Sequence, residues 1–111
     1  MNWNSLESLT ELDNIDKQSF SKPVLIFKHS TRCGVSRMAL KQFENEQEEI
    51  TANMACYFLD LLNFRAVSNE IANRYSVTHE SPQVLLIKDG KCIYHASHSD
   101  INNGELNKAV N

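Results

Sequence analysis

Three of the 111 residues are cysteines, and one of them, Cys33, stands where sulfur chemistry is expected. It lies in Thr31-Arg32-Cys33-Gly34-Val35-Ser36, where an apolar run gives way to a helical pattern, so the thiol falls at a helix N-terminus. Unpaired backbone N–H groups and the positive end of the helix dipole favour thiolate over thiol at such a place. Three residues on, where a dithiol oxidoreductase carries a second cysteine that resolves a mixed disulfide, this chain has Ser36. A serine hydroxyl can donate a hydrogen bond back to the Cys33 thiolate but forms no disulfide, so the expected chemistry stops at a mixed disulfide awaiting an outside thiol. Arg32, Arg37 and Lys28 would add positive potential around the sulfur or attract an anionic small thiol. Taken singly, each reads more simply as a solvated surface charge, because exposed pairs are weak.

The other reactive residue types point elsewhere. A free cysteine is often just a small buried hydrophobe, but the polar neighbours Ser30, Thr31 and Arg32 argue against that for Cys33. Cys56, among Ala55, Tyr57 and Phe58, and Cys92, beside Ile93, read as inert core thiols. His29, His79, His95 and His98 show no zinc-ligand spacing and read as surface or structural groups, so no metal site is expected. A Cys-His hydrolase lacks a third orienting group.

Composition places these groups in an ordinary single domain, residues 1–111, with 41% hydrophobic and 23% charged residues. A net charge of −3 leaves no basic footprint, which argues against nucleic acid as a partner. Apolar runs such as residues 24–27 and 84–87 are too short to cross a bilayer, and residues 1–7 show no signal-peptide pattern. Three cysteines without a C-x-x-C pair make no disulfide framework, which fits a reducing, cytoplasmic location.

The elements that must position Cys33 follow from periodicity. Residues 5–18 carry Leu6, Leu9, Leu12 and Ile15 at intervals of three, an amphipathic helix with Ser5 as its N-cap. Lys22-Pro23 ends it and opens a strand whose run Val24-Leu25-Ile26-Phe27 reads as buried on both faces. After Cys33, Val35, Met38, Ala39, Phe43 and Ile50 fall roughly on one helix face, opposite Arg37, Lys41, Glu44 and Glu48. Residues 54–61 predict a second buried strand, and residues 63–75 a helix with Val67, Ile71 and Tyr75 spaced by four. Two strands joined through a helix make a right-handed βαβ unit. Residues 83–88 and 91–95 are strands joined by the hairpin signal Asp89-Gly90, and Asp100 caps a last helix over residues 101–110. The sum is an α/β chain with a four-stranded mixed sheet and helices on both faces.

That order, with a cysteine at the first strand-to-helix junction and Ser81-Pro82 just before the third strand, resembles the thioredoxin-like proteins. The resemblance implies a thioredoxin-like fold and a cis-proline at Pro82 beside the thiol. A cis bond there would turn the Ser81 backbone toward the sulfur to pair with an extended substrate segment, with Thr78, His79 and Glu80 completing the loop wall. Within that superfamily, Phe27-Lys28-His29-Ser30-Thr31-Arg32-Cys33-Gly34-Val35-Ser36 is most similar to the monothiol bacilliredoxins, the YtxJ-like branch, through its His-Ser-Thr-x-Cys-x-x-Ser pattern. This resemblance implies removal of bacillithiol, or a similar small thiol, from mixed disulfides on cytosolic proteins. Cys33 and Ser36 would be catalytic, and Thr31, Arg32, Gly34, Ser81 and Pro82 would bind substrate. No cofactor is expected to be bound, the small thiol is the co-substrate, and the chain is expected to act as a monomer.

Gly34 replaces the proline expected in many members, and Cys33-Gly34-Val35-Ser36 also resembles the CGFS motif of monothiol glutaredoxins. That alternative implies a dimer holding an iron–sulfur cluster between two Cys33 thiolates and two small-thiol ligands, although the sequence shows no recognisable glutathione-binding signature. A third reading, a thioredoxin-like interaction domain without redox turnover, predicts that Cys33→Ser leaves function unchanged.

Overall fold

In the computed structural model, which describes residues 2–101 and 104–110, the sheet is built around β2 (Val24–His29). On one side β2 pairs in parallel with β3 (Ala55–Asp60), which pairs in parallel with β1 (Trp3–Ser5). On the other side it pairs antiparallel with β4 (Gln83–Lys88), which forms a hairpin with β5 (Lys91–Ser97). The strand order is therefore β1-β3-β2-β4-β5. Helices α1 (Leu9–Gln18), α2 (Gly34–Thr51), α3 (Arg65–Tyr75) and α4 (Glu105–Val110) cover the sheet.

Successive residues of a strand face opposite ways, and β2 uses both faces. Val24 and Ile26 join a core with Leu12 and Ile15 of α1 and Val67 and Ile71 of α3. Leu25 and Phe27 join a second core with Phe43 of α2 and Leu106 of α4. The same alternation sends the next two side chains apart: Lys28 toward α3 and His29 toward α2. A one-residue slip of β2 would exchange them, so the register of this strand also sets the chemistry of the site.

The structure corrects the sequence reading in three places. The sheet has five strands rather than four, because Trp3–Ser5 is extended and pairs with residues 56–58. Trp3 is held by packing its ring edge-on against Phe27 and Phe58 and by donating Nε1–H to Glu44 at 2.8 Å. The first helix accordingly starts at Leu9, with Ser8 and not Ser5 as N-cap: Ser8 Oγ accepts from Glu11 N–H at 3.2 Å. The final helix begins at Glu105, preceded by a short 3₁₀ turn over His98–Asp100, so Asp100 does not cap it. Residues 102 and 103 of the expected 101–110 helix lie outside the described residues.

Elsewhere local chemistry and tertiary contacts agree. Asp89 and Gly90 have φ of +54° and +75°, the pair of positive values that suits a tight hairpin turn, and both backbone N–H groups are tied to Ser19 at the end of α1. Ser76 closes α3 in the left-handed region. Arg74 of α3 bridges Asp13 and Asp16 of α1 at 2.9 and 3.0 Å and Glu70 at 3.1 Å, which clamps the two helices on that face.

Candidate active site

Cys33 is the N-cap of α2 and is exposed. The strand-to-helix switch produces this placement: the Cys33 backbone is extended while its carbonyl already accepts from Arg37 N–H at 3.0 Å. A turn closed by Cys33 N–H donating to the Ser30 carbonyl at 3.1 Å holds the residue at the tip. The side chain makes no capping hydrogen bond, so the sulfur stays available beside the positive end of an 18-residue helix. The other two thiols are placed as expected. Cys56 is buried and Cys92 is half-buried with its S–H donating to the Tyr94 carbonyl at 3.2 Å, and burial pushes both thiols up from their ordinary range.

Ser36 does not do what its spacing suggests. It is fully buried, and its hydroxyl is engaged away from the sulfur. Its Oγ accepts from Ser30 N–H at 3.2 Å and lies 2.6 Å from His29 Nδ1. Ser36 therefore ties the first turn of α2 to the end of β2 and to the turn that presents Cys33. Its partner His29 is buried as well, with ring centroids 5.3 Å from Phe58 and 6.5 Å from Phe27. Desolvation lowers its pKa and Arg37 lowers it further, against opposing pulls from Asp60 and Ser36, so the imidazole is neutral near pH 7. Sequence reasoning left this pair unconnected. The available signal was the period-two alternation, which puts His29 on the same inward face as Leu25 and Phe27.

Lys28 is the larger correction. Instead of a solvated charge at the strand end, it is fully buried, with Nζ 3.3 Å from the Ser68 carbonyl of α3 and 3.3 Å from His79 Nδ1. Among the described residues no carboxylate pairs with it, and desolvation lowers its pKa from 10.5 to about 8. Its cationic head thus lies under the surface rather than around the sulfur. Arg37 folds back to donate from Nη1 to the Thr31 carbonyl at 3.2 Å, bracing the loop that carries Cys33. Thr31, Arg32 and Gly34 are exposed around the thiol. A Cβ at Gly34 would lie 3.7 Å from Arg37 Nη2, an ordinary contact, so space alone does not demand glycine there.

The Ser81-Pro82 bond is cis. Pro82 is buried, its carbonyl accepts from His98 N–H at 3.0 Å, and the buried Ser81 hydroxyl has no hydrogen-bond partner among the described residues. Val35, two residues after Cys33, and Pro82 line one open groove of about 650 Å³ with Met38, Ala39, Gln42 and His98. Of the sequence-predicted site residues the groove takes in Pro82, and it reaches the first turn of α2 at Val35, while Cys33 and Ser81 are not in its lining. Val35 and Met38, on the apolar face that periodicity marks for α2, leave 69% and 74% of their area exposed.

The family model of the monothiol bacilliredoxin BrxC matches residues 4–106. The chain belongs to the monothiol bacilliredoxin family. A solved structure described as a candidate oxidoreductase with a thioredoxin fold is 31% identical, with a TM-score of 0.82 over 95% of this bacilliredoxin and 90% of that chain. Mitochondrial thioredoxin 3 of Saccharomyces cerevisiae, in its oxidised form, is 23% identical with a TM-score of 0.73 over 97% of this chain and 92% of its own. Thioredoxin of Fasciola hepatica is 21% identical with a TM-score of 0.70, covering 96% and 95%. The last two show the fold alone. The family match and the 31% identical structure support a thiol oxidoreductase of thioredoxin-like fold. Among the described residues no helix is long and apolar enough to cross a membrane, and no cluster of three or more metal-ligating side chains is present.

Proposed function

We propose that this bacilliredoxin removes bacillithiol, or a similar low-molecular-weight thiol, from mixed disulfides on cytoplasmic proteins, with Cys33 as nucleophile. The observation that carries the reading is an exposed cysteine at a helix N-cap whose resolving position is filled by a buried, fully engaged serine. The Cys33 thiolate attacks the small-thiol sulfur of the mixed disulfide. A new S–S bond forms between Cys33 and the small thiol, the old S–S bond breaks, and the target protein leaves as a thiolate that takes a proton from water. No net oxidation occurs in that step. With no cysteine at position 36, Cys33 keeps the adduct until a second thiol molecule or another redoxin attacks it.

Two features support a protein as the other half of the substrate. The groove lined by Val35, Met38 and Pro82 offers apolar surface that begins two residues after Cys33 in the chain and includes the cis-proline. Arg32, exposed beside Cys33, suits the anionic groups of a small thiol.

Intact-protein mass spectrometry tests this reading. Reduced protein is mixed with a model protein carrying a bacillithiol mixed disulfide, and Cys33→Ser is the control. The expected result is a gain of one bacillithiol on the wild type, none on the variant, and reversal by added thiol. Attachment at Cys56 or Cys92 would overturn the site, and absence of transfer from both bacillithiol- and glutathione-modified substrates would overturn the activity.

A further inference from the structure

The mechanism above leaves Lys28 unused, and its contacts are those of a bolt between three elements. From β2, its Nζ donates to the Ser68 carbonyl on α3 and to Nδ1 of His79, each at 3.3 Å. His79 belongs to the segment between α3 and β4, three residues before Pro82, and its Nδ1 also lies 3.4 Å from Ser68 Oγ. On the backbone, Lys28 is the register partner of Gln83, the residue after Pro82. One residue thereby holds the strand beside Pro82 through its backbone and the loop that leads to Pro82 through its amine.

The Lys28–His79 bond has a polarity that makes it conditional. An ammonium has donors only, so Nδ1 must accept, which requires the neutral imidazole with its proton on Nε2. A second proton on His79 would point an N–H at the Lys28 ammonium, replacing a hydrogen bond by a like-charge contact at 3.3 Å. The groups facing His79 from the neighbouring elements are Lys28 on β2, Arg65 and the neutral Ser68 on α3, and Glu80 on its own loop. Desolvation, Lys28 and Arg65 all hold the imidazole neutral, and Glu80 alone pulls the other way.

We propose that Lys28 and His79 form a pH-dependent latch: with His79 neutral the loop is bolted to β2 and α3 and presents Ser81 and Pro82 to the protein half of the mixed disulfide, and protonation of His79 releases it. Both are positioning residues, and the consequence for turnover rests on the function proposed above, while the latch itself rests on these contacts alone.

The closing experiment has two arms. In the first, NMR of the full chain follows the His79 ring nitrogens and the Ser81 and Gln83 amides between about pH 7.5 and pH 5. His79 is expected as the Nε2–H tautomer, with both amides shifting at the His79 midpoint. In His79→Asn, whose Oδ1 can take the place of Nδ1 and does not titrate, the amides should stay at their high-pH positions. In Lys28→Met they should sit at the released positions throughout. In the second arm, kcat/KM for a bacillithiol-modified protein is followed for each protein relative to its own value near pH 7.5, and the wild type should fall several-fold further than H79N by about pH 5, through KM. An Nδ1–H tautomer, amides that ignore the His79 titration, or an H79N profile that follows the wild type would overturn the latch. If no transfer activity is found, the NMR arm still decides it; if the NMR arm fails while transfer persists, the latch falls and the function stands.

Discussion

Replacing Lys28 by methionine should make the protein more stable at neutral pH and less stable in alkali. Burial without a carboxylate partner lowers the pKa of the Lys28 amine from 10.5 to about 8 in the folded chain. A folded value below the unfolded one means that the unfolded state binds the proton more tightly, so stability rises with pH between about 8 and 10.5. That separation corresponds to roughly 3 kcal/mol at ~1.4 kcal/mol per tenfold change. Below pH 8 both states carry the charge and the folded state bears the whole penalty. Methionine fills a similar volume without charge but loses the bonds to Ser68 and His79, at a cost of ~1 kcal/mol each. The net expectation is that Lys28→Met is more stable than wild type by ~1 kcal/mol near pH 7 and less stable by ~2 kcal/mol above pH 10.5, where the wild-type amine is neutral and still donates. Urea unfolding of both proteins from about pH 7 to 11 measures the difference, in which the other titrating groups largely cancel. A stability difference that stays constant to within ~0.5 kcal/mol across that range would refute a buried, unpaired ammonium at position 28. A gain in stability at neutral pH joined to a loss of loop positioning is the trade expected of a residue kept for function.

Ser36→Ala should destabilise the protein by ~1–3 kcal/mol in urea unfolding, because it strands the Ser30 N–H and His29 Nδ1 in a buried place; an effect below ~0.5 kcal/mol would mean the serine does not hold the Cys33 turn. Brief alkylation of the native protein, read by peptide mass, should label Cys33 and leave Cys56 and Cys92 protected until the chain is unfolded, since burial both covers these two thiols and pushes their pKa values up. Labelling of Cys56 at the rate of Cys33 would contradict the packing of β3.

What the sequence determined by itself is what neighbours along the chain decide. The switch from an apolar strand run to helical spacing at Cys33, the Asp89-Gly90 turn and the Ser81-Pro82 step are local patterns with local causes, and together they were enough for the fold and for placing Cys33 at a helix N-terminus. The misplaced first helix cap was legible too, since Ser8-x-x-Glu11 is a capping box and Ser5 has none. The tertiary structure decided what depends on residues far apart. Trp3–Ser5 is a strand because β3 supplies a parallel edge, and nothing in three short residues announces it. Lys28 looks like a surface charge because lysine is rarely buried, and only the arrival of Ser68 and His79, 40 and 51 residues away, encloses it. Ser36 sits at the spacing of a resolving residue, yet the inward turn of His29 on β2 takes up its hydroxyl. Spacing locates a side chain on its own element, whereas burial and hydrogen-bond partners are set by the elements that pack against it.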